Sequence, residues 1–229
     1  MIKERIDEFY VKKNYERDRE HFYITDAGRC ARAVYFQFKK YPKKEMEARI
    51  LRLMSHGDYT HMRIMSVLFS LGLVKAAEIE IPKQEIINGR ADAIVSLKNE
   101  IYILEIKSIN RTKFAVLKQP DLDHIKQVQL YLHYFNIAKG ILLYECKDTQ
   151  DIKEFFLDYD KELVNKLLNS FDKLKKEIDE NKIPEIPEDL EAWKCGYCPY
   201  LEECKKHGGP KKKDSSRYKE REVQSILEQ

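Results

Sequence analysis

Two rhythms of apolar and polar positions run along this chain. The segment 89–108, GRADAIVSLKNEIYILEIKS, carries two strand-like runs, 90–97 and 100–107, joined by a turn around Lys98-Asn99. A further strand is expected at 76–82, and two more at 139–146 and 152–158, separated by the turn KDTQ. Helical spacing predicts a charged helix over 3–20 and a long helix over 44–72, with Gly57 interrupting its pattern. It predicts further helices over 121–136 and 160–181. ITDAGRC (24–30) reads as a helix start capped by Thr25 or Asp26, and Tyr41-Pro42 ends the helical region that follows. Three strands, a helix and then more strands make an α/β chain with a mixed sheet flanked by helices.

Composition narrows the class. With 229 residues the chain can bury one sizeable core. A hydrophobic fraction of 43% beside 35% charged residues argues against both a membrane protein and a wholly disordered one. The longest apolar stretch, IMSVLFSLGLV, is too short to span a bilayer. The start, MIKERIDEFYVKK, has no signal-peptide pattern, so a cytoplasmic location is expected. A net charge of +3 does not announce nucleic-acid binding, but the basic run from Lys205 to Arg221 suits phosphate contact if it is more than a solvated tail.

The chemistry concentrates on the two runs joined at Lys98-Asn99. Glu105 and Lys107 lie two apart on one strand and so point to the same side. Inside IYILEI their burial is costly unless something pairs with them. A divalent cation held by Asp92 and Glu105, with Lys107 beside it, accounts for all three charges, which outlines a metal-dependent phosphodiesterase. The competing reading is a structural ion pair within the sheet.

Asp, a spacer and then Glu-x-Lys at the end of a second strand resembles the PD-(D/E)xK nuclease core. His61 upstream, in SHGDYTHMRIM, and Gln127 and Tyr131 downstream, in HIKQVQLYLHYF, give an order similar to the RecB-type subgroup. The resemblance spans roughly residues 25–205 and implies a restriction-endonuclease-like fold. It implies Mg2+ or Mn2+ bound by His61, Asp92, Glu105 and the carbonyl of Ile106. Lys107 would act on the attacking water or the charge of the transition state, and Gln127 and Tyr131 would contact DNA or the nucleophile. His124, one turn before Gln127, is a neighbour of the same set.

Five cysteines, Cys30, Cys146, Cys195, Cys198 and Cys204, form the second feature. An odd number without a secretion signal disfavours a disulfide framework. Cys146 closes the apolar run GILLYEC and reads as core. Cys30 with the Cys-x2-Cys-x5-Cys cluster at 195–204 is similar to the iron–sulfur branch of these nucleases, which includes CRISPR-associated exonucleases and AddB-type helicase–nuclease subunits. That likeness implies a structural 4Fe–4S cluster on Cys30, Cys195, Cys198 and Cys204, fastening the two chain ends. A local zinc site of Cys195, Cys198, Cys204 and His207 is the alternative.

The expectation is a single nuclease domain over 1–204, with a helical N-terminal part and a C-terminal cluster region, followed by a basic, mobile tail over 205–229. By resemblance its substrate is DNA, single-stranded or with free ends, in CRISPR adaptation or in recombination and repair. No Walker A motif occurs in these residues, so unwinding falls to a helicase partner, and a CRISPR integration protein is a further candidate partner. The alternative is a nucleic-acid-binding iron–sulfur or zinc subunit with weak or no cleavage.

Overall fold

Lys98 and Asn99 both adopt positive φ, 48° and 67°, as a two-residue turn matched to the twist of its strands requires. In this computed structural model, which describes residues 1–14, 19–188 and 190–210, the turn joins β4 (Arg90–Leu97) to β5 (Glu100–Ile109). Around this hairpin stand β2 (Val74–Glu80), β6 (Lys139–Cys146) and β7 (Ile152–Asp158), in the order β2-β4-β5-β6-β7. β5 and β6 pair in parallel and the other neighbours antiparallel, so the sheet is mixed. A separate two-stranded ladder joins β1 (Phe22–Tyr23) and β3 (Ile87–Asn88), which the sequence pattern did not reveal.

The chain divides into two compact units, and neither is continuous in sequence. The first comprises Met1–Arg29 and Met46–Lys182. It contains the sheet, α1 (Ile2–Lys13), α3 (Ala48–Ser70), α4 (Arg111–Val116), α5 (Leu122–Phe135) and α6 (Lys161–Asp179). One sheet face buries Ala93, Val95, Tyr102, Leu104, Ile106 and Ile141 with Ile64 of α3. α5 packs against β6 closely enough that a Cβ at Gly140 would stand 2.6 Å from Val128 Cγ1. α6 buries Val164, Leu167, Phe171, Leu174 and Ile178, a three-four spacing that puts them on one stripe.

The second unit comprises Cys30–Glu45 and the residues from Ile183 onward. It holds α2 (Ala31–Phe38), α7 (Ala192–Gly196) and α8 (Leu201–Lys206). Phe36 of α2 meets Tyr41, Tyr200 and His207 at centroid distances of 4.8, 6.0 and 5.8 Å. The main chain closes the same seam, with Lys44 N–H donating to Pro199 O at 2.8 Å.

Several expected local features differ. α3 runs through Gly57 without a break. Neither Thr25 nor Asp26 is a helix N-cap: they lie inside a 3-10 turn, Ile24–Gly28, where Asp26 accepts from Tyr23 N–H at 2.7 Å, and Cys30 is the N-cap of α2. Of the expected basic tail, Lys205 and Lys206 end α8, while 211–229 lie outside the described residues. Among the described residues no helix is long and apolar enough to cross a membrane.

Candidate active site

The hairpin sets the site by ending its own ladder. β4 and β5 are in register from Leu97–Glu100 to Ala93–Leu104, and the next residues along are Asp92 and Glu105. There Ile106 N–H donates to Asp92 Oδ2 at 2.7 Å, so a side chain substitutes for a strand carbonyl. Asp92 and Glu105 are thereby brought together on neighbouring strands. The parallel partner β6 keeps β5 in the interior, and Glu105 is 3% exposed.

Glu105 is held from one side only. Its Oε1 accepts from Lys107 Nζ at 2.7 Å and from Gln127 Nε2 at 2.8 Å. Its Oε2 is buried without a hydrogen-bond partner. Burial pushes this carboxyl up to about 7; Lys107 opposes that shift and the charge of Asp92 adds to it. From α3, His61 Nδ1 reaches Asp92 Oδ1 at 3.4 Å. Burial works to lower the imidazole pKa, but the bond to Asp92 and the charges of Asp92 and Glu105 hold it above its ordinary value.

Gln127 and Tyr131, four apart on α5, form the layer behind. Gln127 Oε1 accepts from Lys107 Nζ at 2.9 Å, while its Nε2 serves Glu105 and lies 3.5 Å from Tyr131 Oη. One amide therefore orients both members of the Glu-x-Lys pair. Tyr131 is 2% exposed and donates to Arg90 O at 2.7 Å, and burial raises its pKa. These two side chains face the protein interior, where they support Glu105 and Lys107.

Some members of this neighbourhood carried no sequence signal beyond an apolar strand pattern. Tyr144, in register beside Lys107, accepts from Asp121 N–H at 3.1 Å and lies 2.8 Å from His124 Nδ1. Glu145, 2% exposed, pairs with Arg63 of α3, and Thr60 reaches Ser108 at 3.5 Å. Cys146 is fully buried, as expected of a core residue.

Among the described residues neither set of donors is drawn into a ready-made metal cage. The residues at the hairpin nonetheless suit a hard divalent cation: two carboxylates, an imidazole, and a buried carboxylate oxygen lacking any partner. In the second unit none of Cys30, Cys195, Cys198 and Cys204 is in a disulfide. Burial raises the thiol pKa of Cys195, and the charges of Cys30, Cys198 and Cys204 raise it further. Four soft donors fit a tetrathiolate centre in kind and number. His207, the possible fourth ligand of a local zinc site, instead lies 3.4 Å from Glu203 Oε1.

Comparison with known proteins places these features in context. A family model described as the PD-(D/E)XK nuclease superfamily matches residues 5–205. The chain is 28% identical over 228 residues to the CRISPR-associated exonuclease Cas4 of Saccharolobus solfataricus, covering 87% of this chain and 97% of that protein. The crystal structure of SSO0001 superposes with a TM-score of 0.58 at 24% identity, covering 87% of this chain and 94% of the other. The alkaline exonuclease LHK-Exo of Laribacter hongkongensis gives 0.52 at 14% identity, covering 76% and 93%.

Proposed function

Because the chain belongs to the PD-(D/E)XK nuclease superfamily, we propose that it is a metal-dependent deoxyribonuclease that degrades DNA from single-stranded or free ends. The observation that carries this reading is Glu105: a buried carboxylate with one oxygen bound to Lys107 and Gln127 and the other without a partner, beside Asp92. A purely structural ion pair would leave no such orphan, because an unsatisfied buried oxygen is costly.

Asp92, Glu105, His61 and the main-chain carbonyl of Ile106 are the residues that would hold Mg2+ or Mn2+. When bound, such an ion would lower the pKa of a water molecule and offset charge on the scissile phosphate. The other residues act directly. Lys107, fixed between Glu105 Oε1 and Gln127 Oε1, keeps an ammonium group where negative charge develops; to act instead as base on the attacking water it would first give up one of its own protons. Gln127 holds Lys107 and Glu105 in one orientation, and Tyr131 braces that arrangement against β4 through Arg90 O. Cys30, Cys195, Cys198 and Cys204 would bind a structural 4Fe–4S cluster, making residues 1–204 a nuclease module.

The name of the Saccharolobus relative, a CRISPR-associated exonuclease, favours a CRISPR role over general recombination and repair, and adaptation is the role we propose. A helicase or an integration protein is the partner class such a role calls for. We expect Glu105→Gln to cut labelled single-stranded DNA at least about a hundredfold more slowly than wild type in Mn2+ or Mg2+, with DNA binding retained. Wild-type rates from that variant, or cleavage undiminished by chelator, would remove this site from the reaction.

A further inference from the structure

Arg32, the second residue of α2, is 6% exposed. Its Nε donates to Pro184 O at 2.7 Å and its Nη1 to His207 O at 2.9 Å. The same Nη1 stands 3.7 Å from Cys204 Sγ. The acidic side chain nearest it, Glu185, is 98% exposed and 3.8 Å away, too far and too wet to compensate a buried charge. A guanidinium cannot shed its proton to escape burial, as a lysine can. Two carbonyls take two of its five N–H donors but do not cancel its charge. The nearest atom that could carry a compensating negative charge is the Cys204 sulfur, 3.7 Å away. Arg32 and Cys195 also line a common cleft of about 800 Å3 in the second unit.

We propose that Arg32 is the countercharge and the gathering residue of the cysteine centre. Four thiolates around a doubly charged core leave a net negative site, and Arg32 is the fixed cation placed against it. Its carbonyl bonds draw the Pro184 and His207 segments to the helix that begins at Cys30, before anything binds the sulfurs. This inference rests on the reading of Cys30, Cys195, Cys198 and Cys204 as ligands of one iron–sulfur cluster. It concerns a positioning residue, which acts on the cluster through charge and through the placement of Cys204.

The test uses the full chain purified without oxygen, in wild-type form and as Arg32→Met, Arg32→Lys and Glu185→Gln. Iron and sulfide per chain, the rate of bleaching by a chelator, and the midpoint potential are the readouts. Arg32→Met should bleach about tenfold faster, as loss of outer-shell partners does at metal sites. Its potential should fall, because adding an electron to an anionic centre is harder without the cation. Arg32→Lys keeps the charge and loses the fork, so its potential should stay near wild type while bleaching is intermediate. Glu185→Gln should match wild type. An iron-loaded wild type whose Arg32→Met variant bleaches and titrates identically overturns the role of Arg32 alone. If Arg32→Met does not fold, Arg32→Lys decides: a potential displaced well below wild type means that charge is not what Arg32 supplies. A wild-type chain without iron overturns the cluster reading, and this inference with it.

Discussion

Glu105 carries opposite demands in the two states of the site. Without a cation its carboxyl favours the protonated form, since burial raises its pKa to about 7. A carboxyl whose folded pKa is raised stabilises the fold fully below its unfolded value, near 4.3, and that stability is lost as pH rises through about 7. Metal-free wild type should therefore lose thermal stability between about pH 4 and 7 relative to Glu105→Gln, and be the less stable of the two at pH 8. Parallel melting temperatures across that range would contradict the burial argument. Gln127→Ala leaves Lys107 and Glu105 each one bond short, and single-turnover cleavage should slow about ten- to a hundredfold with DNA affinity unchanged. Equal rates would mean that the amide is only packing. At this scale Asp92, Glu105 and Lys107 were legible because charges stand out in an apolar strand. Arg32 and Tyr144 were not, because their meaning lies in atoms brought from distant segments, Pro184 and His207 for one and Asp121 for the other.

Among the elements, β4, β6 and β7 have the bounds their alternation predicts, and the paired positive φ values at Lys98-Asn99 bear out the turn. β1 and β3 escaped because a two-residue strand has no period to read, and its pairing spans Phe22 to Ile87. Gly57 misled in the other direction: a glycine costs a helix roughly 1 kcal/mol, which a 23-residue helix with a buried face absorbs. Gly140 shows where glycine is required by space. Its φ is not positive, but a Cβ there meets the stiff side chain of Val128 at 2.6 Å. Gly140→Ala should cost about 1–3 kcal/mol by overpacking, and Val128→Ala in the same chain should recover part of it. Additive losses in a denaturation cycle would show that the two do not collide.

At the level of the whole molecule, among the described residues no helix signature for reading base sequence accompanies the site, and the expectation from its family likeness is a nuclease that needs strand ends. Linear single-stranded DNA should be shortened progressively, and a covalently closed circle of the same sequence should persist at least about tenfold longer; binding should weaken steeply with salt. Equal loss of both forms would make the enzyme an endonuclease. The division of the chain has a consequence for how it is made. The sheet-bearing unit has all its residues once position 182 has been synthesised, whereas the cysteine unit needs Cys30–Glu45 together with residues beyond 183. On a ribosome the first of these pieces emerges early and waits while some 140 residues are added, a long loop to close. Assembly therefore has an order imposed by chain continuity: the sheet-bearing unit can form first, while Cys30 waits through most of translation for Cys195, Cys198 and Cys204.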